Sequence, residues 1–337
     1  MRLVLAGFGV VGQSFAQLLK EKTPDLAARY GFVPRVVAII DSSGAVMDEK
    51  GLDITRMVAK KRKTGKVGPS SGLSAREIIA HTEADALIEA TPTDFKSGEP
   101  GLGHIRSAFI SKKHVVTCNK GPLAIAFQAL QELARHNSVQ FRYSGAVGGG
   151  TPILDFGKTC STGDDVTRVT GILNGTCNFI LTKMERERAS FADALAEAQR
   201  EGYAERDPTL DINGYDSAVK LVIIANHLGL SKATVREVSV RGIQDVSAEK
   251  AWVAAEKGEA IRLIAVADKA GLSVQPSTIA RDDPLCVTGT YNAVKFHCKD
   301  SGDKVIVGKG AGGPETASSL LRDLIEIRGS MSEATGQ

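Results

Sequence analysis

Arg2-Leu3-Val4-Leu5-Ala6-Gly7-Phe8-Gly9-Val10-Val11-Gly12 is the stretch that decides the fold. Its opening is a short apolar run that ends at glycine, the pattern of a buried strand. Beyond it, Val11, Phe15, Leu18 and Leu19 fall on one helical face, so the order is strand, glycine turn, helix. In a dinucleotide-binding fold Gly7 makes the tight turn, Gly9 lets the backbone approach a pyrophosphate, and Gly12 lets helix and strand pack closely. The first helical amides are then left to bind the anion. A bare glycine spacing is a weak signal, but here both its neighbours supply the required context. Gly7, Phe8, Gly9, Val10, Val11 and Gly12 are therefore expected to surround a dinucleotide.

The rest of the chain agrees with a soluble enzyme. Its 337 residues are long enough for two domains, and 42% hydrophobic with 24% charged residues is ordinary for a globular protein. No apolar run approaches the ~20 residues of a membrane span, and with a strand starting at residue 2 no targeting segment is expected. Cys118, Cys160, Cys177, Cys286 and Cys298 are odd in number and contain no CxxC pair, which points to a reducing, cytoplasmic setting. A formal net charge of +3 gives no reason to expect nucleic acid as a partner. The six histidines are scattered without ligand spacing, which argues against a zinc site.

Val36 to Asp41, Ala86 to Pro92, His114 to Cys118 and Val139 to Tyr143 are further short strands that alternate with helical segments. That alternation predicts a doubly wound, Rossmann-type parallel sheet covered on both faces. Ser74 with Glu77 makes a capping box before Ile78 and Ile79. Lys60 to Lys63, followed by a glycine- and serine-rich run to Gly72, reads as a mobile surface loop, either simply solvated or able to hold a phosphate. From about residue 160 the strands alternate in polarity: Thr167 to Leu173, Ile261 to Ala267 and Ala293 to Cys298, with a hairpin turn at Asp268 to Gly271. This predicts an inserted α+β domain with a largely antiparallel sheet, one face covered by helices such as 191–200. The expected divisions are 1–145 for the nucleotide domain, 146–305 for the inserted domain, and 306–337 for a glycine turn and a helix, 317–327, that returns to the nucleotide domain.

Tyr203 to Lys220, Tyr-Ala-Glu-Arg-Asp-Pro-Thr-Leu-Asp-Ile-Asn-Gly-Tyr-Asp-Ser-Ala-Val-Lys, carries the chemistry. It sets Glu205, Asp207, Asp211 and Asp216 beside Lys220, and Asp216 and Lys220 share one helix face at the head of an apolar run. A lysine held by a carboxylate at a domain edge is a candidate proton donor; the alternative is a surface ion pair with no role in catalysis. Asp207-Pro208 reads as a turn.

These residues, with Thr91-Pro92-Thr93, Asn119-Lys120, Gly148 to Pro152, Asn174-Gly175-Thr176 and Gly310 to Gly312, resemble homoserine dehydrogenase over nearly the whole chain. The resemblance implies NAD- or NADP-linked interconversion of aspartate 4-semialdehyde and homoserine, in threonine and methionine synthesis, by a homodimer built through the second domain's sheet. Hydride reduction of an aldehyde leaves an alkoxide, so the site needs a proton donor and donors for the developing charge. A lysine supplies both, provided partial burial or a second ammonium lowers its pKa. Lys220 paired with Asp216 is the expected acid/base, with Lys120 as a second proton-handling or orienting group. Glu205 and Asp211 are expected to take the substrate's ammonium, and Tyr203, Gly175 and Thr176 to line its pocket. Thr91, Pro92, Thr93, Asn119 and Gly312 join the cofactor-binding set.

Cofactor choice rests on conflicting signals. Asp41, at the end of the second strand, is placed to accept from a ribose hydroxyl and to repel a 2′-phosphate. Ser42, Ser43 and Lys60 to Lys63 point the other way. The resemblance also implies a monovalent cation held near Val147 and Gly149 by backbone carbonyls and a glutamate, but that glutamate position is Ser144, so no metal is expected. Nor does the chain have room after its last helix for an appended regulatory domain. Other readings are a dehydrogenase of a related small hydroxy amino acid and a catalytically silent dinucleotide-sensing dimer; retention of both lysines and the carboxylates speaks against the second.

Overall fold

The computed structural model describes residues 1–69 and 72–335. The chain divides into two compact units, Met1–Gly150 with Gly312–Gln337, and Thr151–Ala311. In the first unit the order is β1 (Arg2–Ala6), α1 (Val10–Tyr30), β2 (Arg35–Asp41), β3 (Gly44–Met47), α2 (Ile54–Thr64), α3 (Ala75–His81), β4 (Ala86–Glu89), α4 (Gly101–Ile110), β5 (His114–Thr117), α5 (Lys120–His136) and β6 (Phe141–Arg142). The sheet runs β3-β2-β1-β4-β5-β6. All neighbours are parallel except β3, which turns back antiparallel on β2.

The central strands are buried on both faces. Leu3, Val4, Leu5 and Ala6 are all 0% exposed, which is what a continuous apolar strand in a parallel sheet requires. The sixth strand is shorter than its apolar run suggests, since within Val139 to Tyr143 the pairing to β5 covers Phe141 and Arg142. Ser74 and Glu77 form the capping box that starts α3, with Ser74 N donating to Glu77 Oε2 at 2.7 Å.

Lys60 to Lys63 do not lie in a loop. They lie in α2, with Lys61, Arg62 and Lys63 in its last turn; its N-cap Asp53 accepts from Arg56 N, and its C-cap Gly65 is left-handed at φ 71°. Three basic residues in that turn complement the helix dipole. Of the glycine- and serine-rich run that follows, Ser70 and Ser71 lie outside the described residues.

The second unit contains α6 (Ile153–Cys160), β7 (Val166–Ile172), α7 (Gly175–Glu187), α8 (Phe191–Arg200), α9 (Thr209–Ile212), α10 (Tyr215–His227), β8 (Val238–Val240), α11 (Ala248–Glu256), β9 (Glu259–Asp268), β10 (Gly271–Ala280), β11 (Tyr291–Cys298) and β12 (Gly302–Lys309). Its sheet runs β12-β11-β7-β9-β10-β8, antiparallel except where β8 joins β10. Asp268 pairs with Gly271 across the β9–β10 hairpin. The strand β12 continues to Lys309, so the unit ends near Ala311 and not at 305.

Helix α10 is buried from Asp216 to Asn226, and its two charges, Asp216 and Lys220, go inside with it. Burying a charge is costly unless it is paired and hydrogen-bonded, so this helix must bring its own partners. After the second unit, α12 (Gly313–Thr335) returns to the first, where Leu320, Leu324 and Ile327 enter the core with Leu5, Phe15, Ile39 and Ile88.

Candidate active site

In the first unit the glycine turn has the geometry its spacing implies. Gly7 is held at φ +91°, and a Cβ on it would lie 2.3 Å from Ala90 O. A Cβ on Gly12 would lie 2.1 Å from Gly7 O, so helix and turn touch backbone to backbone. Gly9 has nothing within 4 Å of a hypothetical Cβ and is exposed, which leaves its face open to a ligand. Val10 is 75% exposed at the first turn of α1. The Phe8 side chain is fully buried, and its amide donates to Asp41 Oδ2 at 3.3 Å, so Phe8 shapes the turn from beneath. Val11 packs on the same core. The C-terminal glycines join here, because a Cβ on Gly313, next to Gly312, would lie 2.8 Å from Val10 Cγ1. A glycine turn that leads into a helix start with no side-chain cap has the shape that a dinucleotide pyrophosphate requires.

Asp41 is already a hub. Its carboxylate accepts from Ser43 N at 2.9 Å and from Lys61 Nζ at 3.1 Å to each oxygen, while Ser42 Oγ lies 3.3 Å away. Burial works against its ionisation, but Ser43 and Lys61 outweigh it and hold the carboxyl below the usual range. Lys61 also donates to Ser43 Oγ at 3.2 Å. Helical phase turns Lys61 toward the strand end and leaves Lys60 exposed.

At the ends of β4 and β5, Thr91 and Pro92 meet Asn119. Asn119 caps α5 by accepting from Gly121 N at 3.0 Å, and its Nδ2 donates to Thr91 Oγ1 at 3.3 Å and Pro92 O at 3.4 Å. Lys120, the first residue of that helix, is half-buried.

The turn near Val147 and Gly149 is held by α12. Ser144 donates its amide and hydroxyl to the fully buried Asp323 at 2.9 and 2.7 Å. Ser319 Oγ donates to Gly149 O, and the Arg322 guanidinium lies 3.4 Å from Gly150 O. Among the described residues no group of three or more His, Cys, Asp or Glu is placed to hold a metal ion.

In the second unit Lys220 Nζ lies 2.7 Å from Asp216 Oδ2 and donates to Leu173 O at 2.7 Å, with both side chains nearly buried. Asn174 joins the carboxylates: its Nδ2 donates to Asp211 Oδ1 at 2.7 Å and to Asp216 Oδ2 at 3.0 Å. Its Oδ1 caps α7, accepting from Cys177 N at 2.8 Å. Sequence reasoning quoted Asn174 without giving its side chain a role, although an Asn ahead of a helical run is an N-cap signal. Burial first, then the charges of Asp211 and Asp216, push the Cys177 thiol well above its ordinary pKa. That thiol is not a nucleophile.

The remaining candidates sit around this cluster. Thr176 Oγ1 donates to Tyr203 O at 2.7 Å, and the Tyr203 ring packs on Phe179 with centroids 4.9 Å apart. Gly175 is glycine because Thr290 O would lie 2.7 Å from a Cβ there. Glu205 is exposed, its carbonyl accepting from Gln199 Nε2 at 3.2 Å. Asp207 closes its turn on Thr209 N at 3.1 Å. Among the described residues no helix is long and apolar enough to cross a membrane.

Residues 7–144 match the family "Homoserine dehydrogenase, NAD binding domain", and residues 152–325 match "Homoserine dehydrogenase". The chain is similar to the homoserine dehydrogenase of Methanocaldococcus jannaschii, 42% identical over 97% of this chain and 98% of that one. It is 39% identical to the NAD(+)-dependent homoserine dehydrogenase of Pseudomonas canavaninivorans, over 97% of this chain and 96% of that protein. A crystal structure of the corresponding Archaeoglobus fulgidus protein superposes with a TM-score of 0.91 at 40% identity, covering 97% of this chain and 99% of that chain.

Proposed function

The chain belongs to the homoserine dehydrogenase family, and from that premise we propose that it interconverts L-aspartate 4-semialdehyde and L-homoserine by lysine acid–base catalysis, a step shared by threonine and methionine synthesis. The observation that carries this reading is the buried Lys220, held between Asp216 and Leu173 O and linked through Asn174 to Asp211. A lysine ammonium has three donors, and two are directed by these partners. The third is proposed to meet a substrate oxygen. The nicotinamide, when bound, supplies or accepts the hydride.

In reduction Lys220 donates a proton to the oxygen that becomes alkoxide, and in oxidation the neutral amine takes the hydroxyl proton back. The fixed Asp216 keeps Nζ in place. Asp211, half-buried and oriented by Asn174, is the proposed partner of the substrate's ammonium, with Glu205 and Tyr203 at the exposed rim. Lys120 is the second proposed proton-handling or orienting group.

The glycine cradle at 7–12, with Thr91, Asn119 and Gly312, is proposed to hold NAD or NADP. Asp41 favours NAD by accepting from the adenosine ribose, while Lys61 on the same carboxylate offsets its repulsion of a 2′-phosphate. A homodimer is proposed through the second unit's sheet, whose edge strand β12 leaves Val307 46% exposed. Steady-state oxidation of L-homoserine with each cofactor tests the reading; turnover of another small amino alcohol but not homoserine refutes it.

A further inference from the structure

Glu89 ends β4, is 0% exposed, and pairs in register with Thr117 of β5. A buried carboxylate persists where donors satisfy it. Thr91 N donates to Oε1 at 3.1 Å, and Thr91 Oγ1 donates to the same oxygen. On the other side Thr117 Oγ1 lies 3.0 Å from both Glu89 Oε2 and Glu89 O.

Each threonine hydroxyl passes the chain on. Thr91 Oγ1 accepts from Asn119 Nδ2 at 3.3 Å, and Thr117 Oγ1 accepts from Asn119 N at 3.0 Å. Glu89, Thr91, Asn119 and Thr117 thus close a ring with two arms, and in both arms the donors point toward Glu89. A hydroxyl has one proton, so its direction is set by what it meets. An acceptor-only Glu89 sets both arms at once. Burial first, and then this negative charge, push the neighbouring Cys118 thiol up to about 12.

The ring has no slack. Gly101 opens α4, and a Cβ there would lie 2.6 Å from Asn119 Nδ2 and 3.2 Å from Glu89 Oε2. That helix start also places its positive end against the carboxylate. His104, one turn along α4, brings Nδ1 to 3.8 Å from Glu89 Oε1.

We propose that Glu89 is a positioning residue for the reaction: its carboxylate fixes the segments after β4 and β5, Thr91 to Thr93 and Asn119-Lys120, in the arrangement that receives the nicotinamide end of the cofactor and presents Lys120. The inference rests on the dehydrogenase reading above. Glu89→Gln keeps the shape but turns an NH2 toward one threonine hydroxyl, reversing that arm. Thr117→Val deletes the other arm, Thr117→Ser retains it, and Gly101→Ala presses a methyl into the ring.

The test titrates NADH by fluorescence without homoserine, then measures kcat and homoserine KM per cofactor-binding site, with Tm alongside. Misplacement of about 1 Å costs up to about 100-fold, so Glu89→Gln, Thr117→Val and Gly101→Ala should each lower NADH affinity and kcat by about 10- to 100-fold. Homoserine KM should stay within about threefold, and Thr117→Ser should restore wild-type values. A residue of purely structural importance lowers Tm and the fraction of binding sites but leaves kcat per site unchanged; that result in Thr117→Val and Gly101→Ala overturns the proposal, whatever the folding of Glu89→Gln. Wild-type protein that binds NADH without oxidising homoserine would sink the substrate reading instead, and the NADH titration would still decide the ring.

Discussion

Lys220 Nζ lies 2.7 Å from Asp216 Oδ2, one helical turn apart on a helix buried along nearly its whole length. A buried pair of this kind stabilises little net, because desolvation offsets most of the attraction. Its geometry suits proton transfer, since the ammonium is oriented by a carboxylate and a carbonyl. Lys220→Ala should therefore lower kcat by about 10²- to 10⁴-fold with cofactor binding nearly intact. Asp211→Ala should act mainly on KM, since a carboxylate that holds the ammonium contacts ground and transition states alike. Lys120→Ala is the control: near-normal kcat in Lys220→Ala with collapse in Lys120→Ala would move the acid/base role to Lys120.

Asn174 is expected to matter twice. Its Oδ1 caps α7 and its Nδ2 joins Asp211 to Asp216. Asn174→Ala should cost about 1 kcal/mol for the lost cap, seen as a Tm decrease. Asn174→Asp keeps an acceptor for the cap but brings a third carboxylate against two others. Steady-state kinetics should show a lower kcat in both, with the larger homoserine KM change in Asn174→Asp. Kinetics like wild type in Asn174→Asp would show that the bridge plays no part in positioning Asp211 or Asp216.

Cofactor choice should turn on Lys61. Both cofactors are expected to bind, with better turnover on NAD. Lys61→Ala should raise the KM for NADP by about tenfold or more, the loss of one charge-assisted contact, and leave NAD little changed. An equal effect on both cofactors would make Lys61 a prop for Asp41 and nothing more. Asp41 also sets an acid limb: its folded pKa is depressed, so its stabilisation is present above the unfolded carboxyl range and lost as pH falls through the folded value. Asp41→Asn should flatten the decline in Tm below about pH 4.

Activity should not depend on sodium or potassium. The carbonyls of Gly149 and Gly150 meet Ser319 and the Arg322 guanidinium, and the Asp323 carboxylate accepts from the Ser144 amide and hydroxyl. Dialysis into a buffer of bulky organic cations should leave kcat unchanged. Activity that disappears and returns with one alkali ion would refute this.

What the sequence revealed and what it hid have physical causes. The glycine turn was legible because each glycine answers to a separate steric demand, and the Ser74–Glu77 box because both partners are local. Helix α2 was hidden by its polar last turn, although Asp53 and Gly65 bracket it as caps. β12 was hidden because an edge strand with mostly half-exposed and exposed residues lacks clear alternation. Lys61 could not be told from Lys60 until the helix phase was fixed. Asp216 and Lys220 were legible at i,i+4 spacing, whereas the Asn174 bridge joins residues about 40 apart and needs the folded chain. The Glu89 ring was not legible, because it joins residues of β4, β5 and the start of α5 that only the folded sheet brings together.

The central claim is tested most directly by the pH dependence of L-homoserine oxidation by the purified protein, followed as NADH formation from neutral to strongly alkaline pH. Oxidation releases a proton and needs the acid/base lysine neutral, so the rate should rise with pH and be lost across the range in Lys220→Ala. No NADH formation from homoserine at any pH, with turnover of another amino alcohol under the same conditions, would contradict the account.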